Sequence, residues 1–483
     1  MLERQGGPSM DEIYPRINMA PSDLPPKMKA PHPASAFGCD AAWLPASPES
    51  RQRFRSLYRM VGRLFRQRYT PPGRLPWFAV DGCTGKPLGP KTLLPELADY
   101  LPLLAVAGEH TYVQQQGQIV ASILEGGVEP LNPDVGLARW MRRQNPFYFS
   151  DLILGLLECH SLGLGPQWLC LAKNQTERLL RDFRRGDGLC KERFLPGGWC
   201  LPVCESNSIV TIEILVELYQ HCGESRYLEA ARELLAPWLQ LARDNGAVPQ
   251  LRLLNPWLGR IPRFARRTEI YLLYKHNLFF LAALDRIAEA MQDPVLHQEL
   301  FRLTASIIGF FRGRQGMPCY SRIGADNADR LGPPTLKGTL LAEHLCDLSQ
   351  ARQRPAMLEA AGEMVEFWLD QRDPRTGLIP YILGQTSTDV DALTDFAVTL
   401  IKMSAAAGDP QWRTAALDLL SAMLEHHLGP YGLYGSVDCR SGKILQSTVE
   451  TRYTSLFLKP WLLLDSPPDI YGQPGLISLV RDR

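Results

Sequence analysis

The 483-residue chain predicts an all-α fold: an (α/α)6 or (α/α)7 toroid of repeated helical hairpins, with short β-hairpins in its long loops. Three observations predict it. A short turn joining two helices recurs, a longer Gly- and Pro-containing loop alternates with it, and helix starts return at a near-constant spacing.

The short turn is a small or polar stretch followed by an aromatic or apolar residue. It reads AGEHTY from Ala107, LGPQW from Leu164, CGESRY from Cys222, MQDPVL from Met291, RQRPAML from Arg352 and AGDPQW from Ala407. Gly closes the first helix, and a polar residue or Pro opens the next. The long loop reads DNGAVPQL from Asp244, RQGMPCY from Arg314, RTGLIPYI from Arg375 and GPYGLYG from Gly429, which predicts short extended pieces or turns.

Apolar residues between these markers fall at i, i+3, i+4 and i+7, the helical spacing. Helices following the long loops are expected near Thr92, Phe147, Ser206, Thr268, Thr335, Thr388 and Val449, at intervals of 53 to 67 residues. Several are apolar nearly all round (DLILGLLECHSLGL, IYLLYKHNLFFLAAL, YTSLFLKPWLLL), as inner helices must be. Their partners, Arg51–Tyr69 and helices near Tyr112, Gln167, Tyr227, Val295, Met357 and Trp412, carry charge on one face. The toroid is expected over residues 51–466. A disordered Pro-, Ser- and charge-containing arm (1–50) precedes it, and a tail (467–483) follows.

Hydrophobic content of 45% and charged content of 21% are those of a soluble globular chain, and the net charge of +1 gives no pull toward nucleic acid. No apolar run is long enough to span a bilayer. The N-terminus lacks a signal-peptide core. The eleven cysteines are scattered without a CxxC, which reads as reduced thiols and a cytoplasmic location. The stretch RQRFRSLYRMVGRLFRQRY (51–69) has seven arginines and no acid. It is a basic amphipathic helix, either the first outer helix or a contact to an anionic membrane surface.

In such a toroid the inner-helix N-termini and long loops share one face, whose dipoles favour carboxylates and anionic ligands. Acids at those starts are Glu96, Asp151, Glu205, Glu269, Asp389 with Asp391, and Glu450. Converging carboxyls are what glycoside chemistry needs: one protonates a leaving oxygen while another activates water. The same residues could equally cap helices without chemistry.

Cys204–Ala231, CESNSIVTIEILVELYQHCGESRYLEAA, resembles an inner helix of the seven-hairpin glycosidases, the class I α-1,2-mannosidases. Glu205, Glu213 and Gly223–Tyr227 fill that family's catalytic-site Glu, second Glu and GlyAspProxTyr turn. The last helix, with Glu450, Thr451 and Tyr453, is similar to the family's closing helix, and the helix from Phe147 resembles its second inner helix more loosely. The family's Arg-Pro-Glu is absent; TSTDVDALTD stands there, with Asp389 or Asp391 as substitutes. The resemblance implies an inverting glycosidase with calcium. The calcium-holding threonine has no match in DSPPDIYGQPGLISLVRDR, so no cofactor or metal ligand is expected.

GRIPRFARRTEIY carries Arg260, Arg263, Arg266 and Arg267 ahead of Glu269. Guanidinium groups grip carboxylates and phosphates, so Arg266 and Arg267 are candidates for holding an acidic sugar. His276, seven residues beyond Glu269, is a candidate on a similar helical face. Trp199, Trp257, Tyr320, Tyr381, Tyr431 and Tyr434 are loop aromatics that either stack on sugars or lid the core. His344 is expected to pack mid-helix. Walker, GxGxxG, HExxH and GxSxG signatures are absent from the sequence.

The leading expectation is a carbohydrate-active enzyme, a glycosidase using Glu205, Glu269, Asp389, Asp391 and Glu450. The alternatives are an epimerase or lyase on an acidic sugar using Arg266, Arg267 and His276, and a non-catalytic toroid that binds a glycan or protein.

Overall fold

The computed structural model describes residues 48–465, except 90, 126–141, 145, 191–192, 196–199, 201, 314–315, 325–330 and 353–354. The expected tail lies outside the described residues, as does the arm up to residue 47; helix begins at Pro48.

The short turns join antiparallel helices as expected. The outer helices are α1 (Pro48–Leu64, continued by a π-turn Phe65–Tyr69), α3 (His110–Glu125), α5 (Gln167–Phe183), α7 (Ser225–Asn245), α10 (Pro294–Phe311), α12 (Pro355–Leu369) and α14 (Pro410–His426). The inner helices are α2 (Leu101–Val106), α4 (Pro146–Ser161), α6 (Val210–Cys222), α9 (Leu278–Met291), α11 (Leu340–Arg352), α13 (Val390–Ala407) and the pair α15 (Thr451–Leu456) and α16 (Leu458–Asp465). One more short helix, α8 (Pro262–Thr268), lies in a long loop.

The Asp-Pro turns work by capping. Asp293 and Asp409 accept hydrogen bonds from the first amides of α10 and α14, with Pro at the helix start. Gly408 closes α13 at φ 66°, where a side chain would be strained.

Each inner helix packs on the next, and the ring closes where α15 and α16 meet α1, α2 and α13. Closure is also written in the strands, since Ala79–Asp81 pairs antiparallel with Thr448–Glu450. Phe54 of α1 meets Trp461 of α16 edge to face at 5.2 Å. At Gly155 of α4, a Cβ would lie 2.6 Å from the Ala98 amide, so only glycine lets these inner elements approach. The architecture is thus an (α/α) toroid with only two-stranded sheets among the described residues.

Several inner helices start later than their spacing predicts. Leu94–Asp99, Ser206–Ile209 and Leu336–Thr339 are 3₁₀ turns ahead of α2, α6 and α11. The largest departure is at Thr268. That residue ends α8, Ile270–Leu272 is a strand paired with Ser321–Ile323, and α9 waits until Leu278. Strand pairing holds this chain extended, so Glu269 and His276 do not share a helix.

The apolar face of α1 is spent on the core: Phe54, Leu57, Val61, Leu64 and Phe65 are all buried. That face is therefore unavailable to a membrane. Among the described residues no helix is long and apolar enough to cross one.

Candidate active site

The late helix starts bring acids and cations from different hairpins into one cluster, the candidate crater. Its first hub is Arg452, in the first turn of α15. Its guanidinium donates to Glu450 (3.0 Å), Glu96 (3.1 Å), Asp99 (3.3 Å) and the Tyr453 hydroxyl (2.8 Å). Its second hub is Lys337, in the turn before α11. The ammonium pairs with Asp391 at 2.7 Å and with Asp395, and faces the Tyr274 ring at 4.9 Å. Lys337 is only 4% exposed, whereas Asp391 and Asp395 keep 20% and 23%. The cation is buried while both carboxyls keep partial exposure.

Crowding splits the acids. Burial drives Asp151 well above the ordinary carboxylate range, reinforced by Glu96 and Asp99. Asp99 is pushed up to about 6 by burial, against the pull of Arg452. Asp389 and Asp395 rise to about 6 for the same first reason. Burial acts upward on Asp391 too, but Lys337, Arg452 and Lys275 outweigh it and hold that carboxyl below 3.8. One cluster therefore holds a carboxyl whose protonated form is favoured and another whose ionised form is favoured, the direction of separation that acid–base chemistry needs.

Lys275 is the third cation. Its backbone is left-handed, φ 59°, one of two such non-glycine residues described, at a cost of roughly 1–2 kcal/mol. Both flanks enforce it. Asn277 clamps Val248 through its N–H and C=O, and also donates to the Leu272 carbonyl. His276 Nδ1 is hydrogen-bonded to Ser206 Oγ at 2.6 Å. The ammonium lies 5.4 Å from the rings of both Phe147 and Tyr274. The Tyr274 hydroxyl, Asp151 and Asp391 favour its charged form.

Of the residues expected from sequence, Asp391 and Glu450 are brought together through Arg452 and Lys337, and Asp389 caps α13 beside them, accepting from the Ala392 amide. Glu205 is buried but bound to Arg267 at 2.8 Å, and Arg267 also donates to Gln250. Glu269 and Arg266 are exposed and separate from the crater's ion pairs. His276 is spent on Ser206. Tyr381 is half-buried, its phenol raised by burial and by Asp389. Tyr434 is a wedge on the neighbouring loops: its ring fills the space beside Gly82 and Gly429, and its hydroxyl donates to the Gly82 carbonyl. Trp199 lies outside the described residues. Sequence reasoning missed Asp99, Asp395, Lys275, Lys337 and Arg452 as site residues. Asp99 and Asp395 stand three and four positions after Glu96 and Asp391, so helical phase was the available signal.

The resemblance implied calcium; the segment where its threonine would stand, residues 466–483, lies outside the described residues. Arg452 and Lys337 already stand at the points where the carboxylates converge.

No family model matches this chain, and no curated protein matches it. Solved structures do. An alpha-1,2-mannosidase from Trichoderma reesei superposes with a TM-score of 0.62 over 88% of this chain and 95% of its own, at 11% identity. A D-mannose isomerase gives a TM-score of 0.58, covering 87% of this chain and 98% of that one, also at 11% identity. The fold is that of the (α/α) toroid sugar enzymes.

Proposed function

We propose that this chain is a carbohydrate-active enzyme, of glycosidase type, working in the crater on a neutral sugar. The observation that carries the reading is the gathering of acids from different hairpins round Arg452 and Lys337, in which burial and neighbouring acids push Asp151 up while Lys337, at 2.7 Å, helps hold Asp391 down. Asp151 would donate its proton to the glycosidic oxygen. Asp391 would take a proton from the water that attacks the anomeric carbon, releasing two sugars. Lys337 and Arg452 are positioning residues that keep Asp391 ionised.

Charge supports a neutral substrate. Even with Asp151 protonated, Glu96, Asp99, Asp391, Asp395 and Glu450 outnumber Lys275, Lys337 and Arg452, an acid surplus that opposes an anion. The acidic-sugar reading has less support, because Arg267 and His276 already have partners and Arg266 points to solvent. An epimerase or isomerase remains the second reading: Tyr274 and Lys275 stand beside the same acids and offer a second proton carrier.

The test is to incubate the protein with a panel of neutral α- and β-linked disaccharides and follow anomeric proton signals. Released sugar of inverted configuration, lost in D151N and D391N, is expected. A carbon epimer or ketose as product moves the assignment to the second reading. Equal turnover by wild type and both variants removes Asp151 and Asp391 from the chemistry.

A further inference from the structure

A crater rich in carboxyls still has to hold its sugar, and its cations are unequally available. Arg452 is saturated by three carboxylates and a phenol, and Lys337 by two carboxylates. Lys275 differs. Among the described residues no ion-pair or hydrogen-bond partner reaches its ammonium; the rings of Phe147 and Tyr274 lie 5.4 Å away, and Asp151 and Asp391 act on it only at longer range.

The backbone there says the placement is imposed. A lysine has no intrinsic reason to sit at φ 59°, and the strain persists only because the 270–272 strand, Asn277 and His276 fix both sides. The reversal swings Tyr274 and Lys275 together off the strand before α9 begins. The aromatic surface continues from Phe147 to Phe279, whose rings stack at 6.3 Å and 19°, both partly solvent-accessible. An aromatic floor with one unpaired ammonium is complementary to a pyranose ring, whose C–H face is apolar and whose edge is a ring of oxygens.

We infer that Lys275, Phe147 and Tyr274 form the subsite that seats a neutral sugar ring, with the ring face on the aromatics and its hydroxyl oxygens on the Lys275 ammonium. This rests on the carbohydrate reading and adds where the sugar lies and what grips it. The strained lysine is a specificity residue, and fold stability is given up to place it.

Binding rather than turnover tests it. Calorimetry or saturation-transfer NMR would use methyl α-D-mannopyranoside, methyl β-D-glucopyranoside and D-glucuronate against wild type, K275M, K275R, K275G and F147A. At least one neutral glycoside should bind wild type more tightly than glucuronate does. K275M and K275G should weaken it roughly tenfold or more, the loss of one charge-assisted hydrogen bond. F147A should weaken it as well, and K275R should retain part of the affinity. K275G should melt no lower than wild type, because glycine adopts the left-handed backbone freely; a merely structural lysine would show loss of stability with binding intact. Wild-type binding that ignores Lys275 overturns this inference and leaves the proposed function standing. Preference for glucuronate overturns its neutral-sugar part, and failure of every sugar to bind wild type defeats the carbohydrate reading itself.

Discussion

Lys337 and Lys402 are the same device built twice along one seam. Lys402 extends from α13 to Glu343 (2.9 Å) and Asp347 (3.2 Å) of α11, while Lys337, just before α11, reaches back to Asp391 and Asp395 of α13. Both ammonium groups are 4% exposed and each has two carboxylates one helical turn apart. They differ in position along the helices. Lys402 sits within α13, acting on a half-buried His344. Lys337 sits just before α11, where Arg452 and Lys275 also act on Asp391 and the Tyr274 ring lies 4.9 Å from the ammonium. A triad that staples two helices further along becomes, at the helix starts, a means of setting protonation. Access and competing cations make that difference; composition does not.

The largest effect should separate the two ends outright. D391N should lower turnover by at least about a hundredfold, the usual contribution of a proton-transfer group, whereas E343Q should leave it near wild type. Steady-state rates on whichever glycoside the panel identifies decide this, and equal losses would erase the distinction between the two triads. Next comes stability. Removing either lysine strands two recessed carboxylates, which costs about 3 kcal/mol for a buried pair. Urea unfolding of K337M and K402M should show comparable destabilisation, with activity lost disproportionately only in K337M.

The two ends should also answer pH in opposite directions. Burial and Asp391 raise Asp389 from 3.8 to about 6 in the folded chain. Between those values the native state holds a proton that the unfolded chain has released, so this contribution to stability is lost as pH rises. Burial, helped by Lys402, depresses His344 from 6.5 to about 4. Between those values the unfolded chain takes up a proton that the native state refuses, so stability is lost as pH falls. Unfolding measured from pH 4 to 7 should show wild type losing ground to D389N on the alkaline side. It should lose ground to H344Q on the acid side. Parallel slopes for the two pairs would contradict this assignment.

The toroid was legible because its signals are local. A turn such as AGDPQW needs only Gly408, the Asp409 cap and Pro410, and all three act within six residues. Asp391 and Glu450 were legible for the same reason, standing at helix starts. Asp395 was hidden by one helical turn: α13 is buried nearly all round, and a lone acid four residues past Asp391 reads as noise until Lys337 is seen beside it. Lys275 could not be read at all. Its left-handed backbone is imposed by a strand partner fifty residues away and by clamps to Val248 and Ser206, none of which shows as periodicity. Glu205 shows the converse. Its place before α6 and its likeness to a family motif marked it, yet what fixes its present role is Arg267, sixty-two residues on.

That pair supplies the smallest of the expected effects. Arg267 is 23% exposed and Glu205 10%, so part of the attraction is screened, and R267A should cost only about 1 kcal/mol. The consequence for chemistry is more informative than the energy. With Arg267 gone, Glu205 keeps its place at the end of the 203–205 strand but loses the cation that neutralises it, leaving a recessed carboxylate beside the turn that carries His276. If the acid work belongs to the Arg452–Lys337 crater, the pH–rate profile of R267A should overlay that of wild type. A displaced limb would draw Glu205 into the proton bookkeeping, and the site would then extend from the start of α13 round to α6.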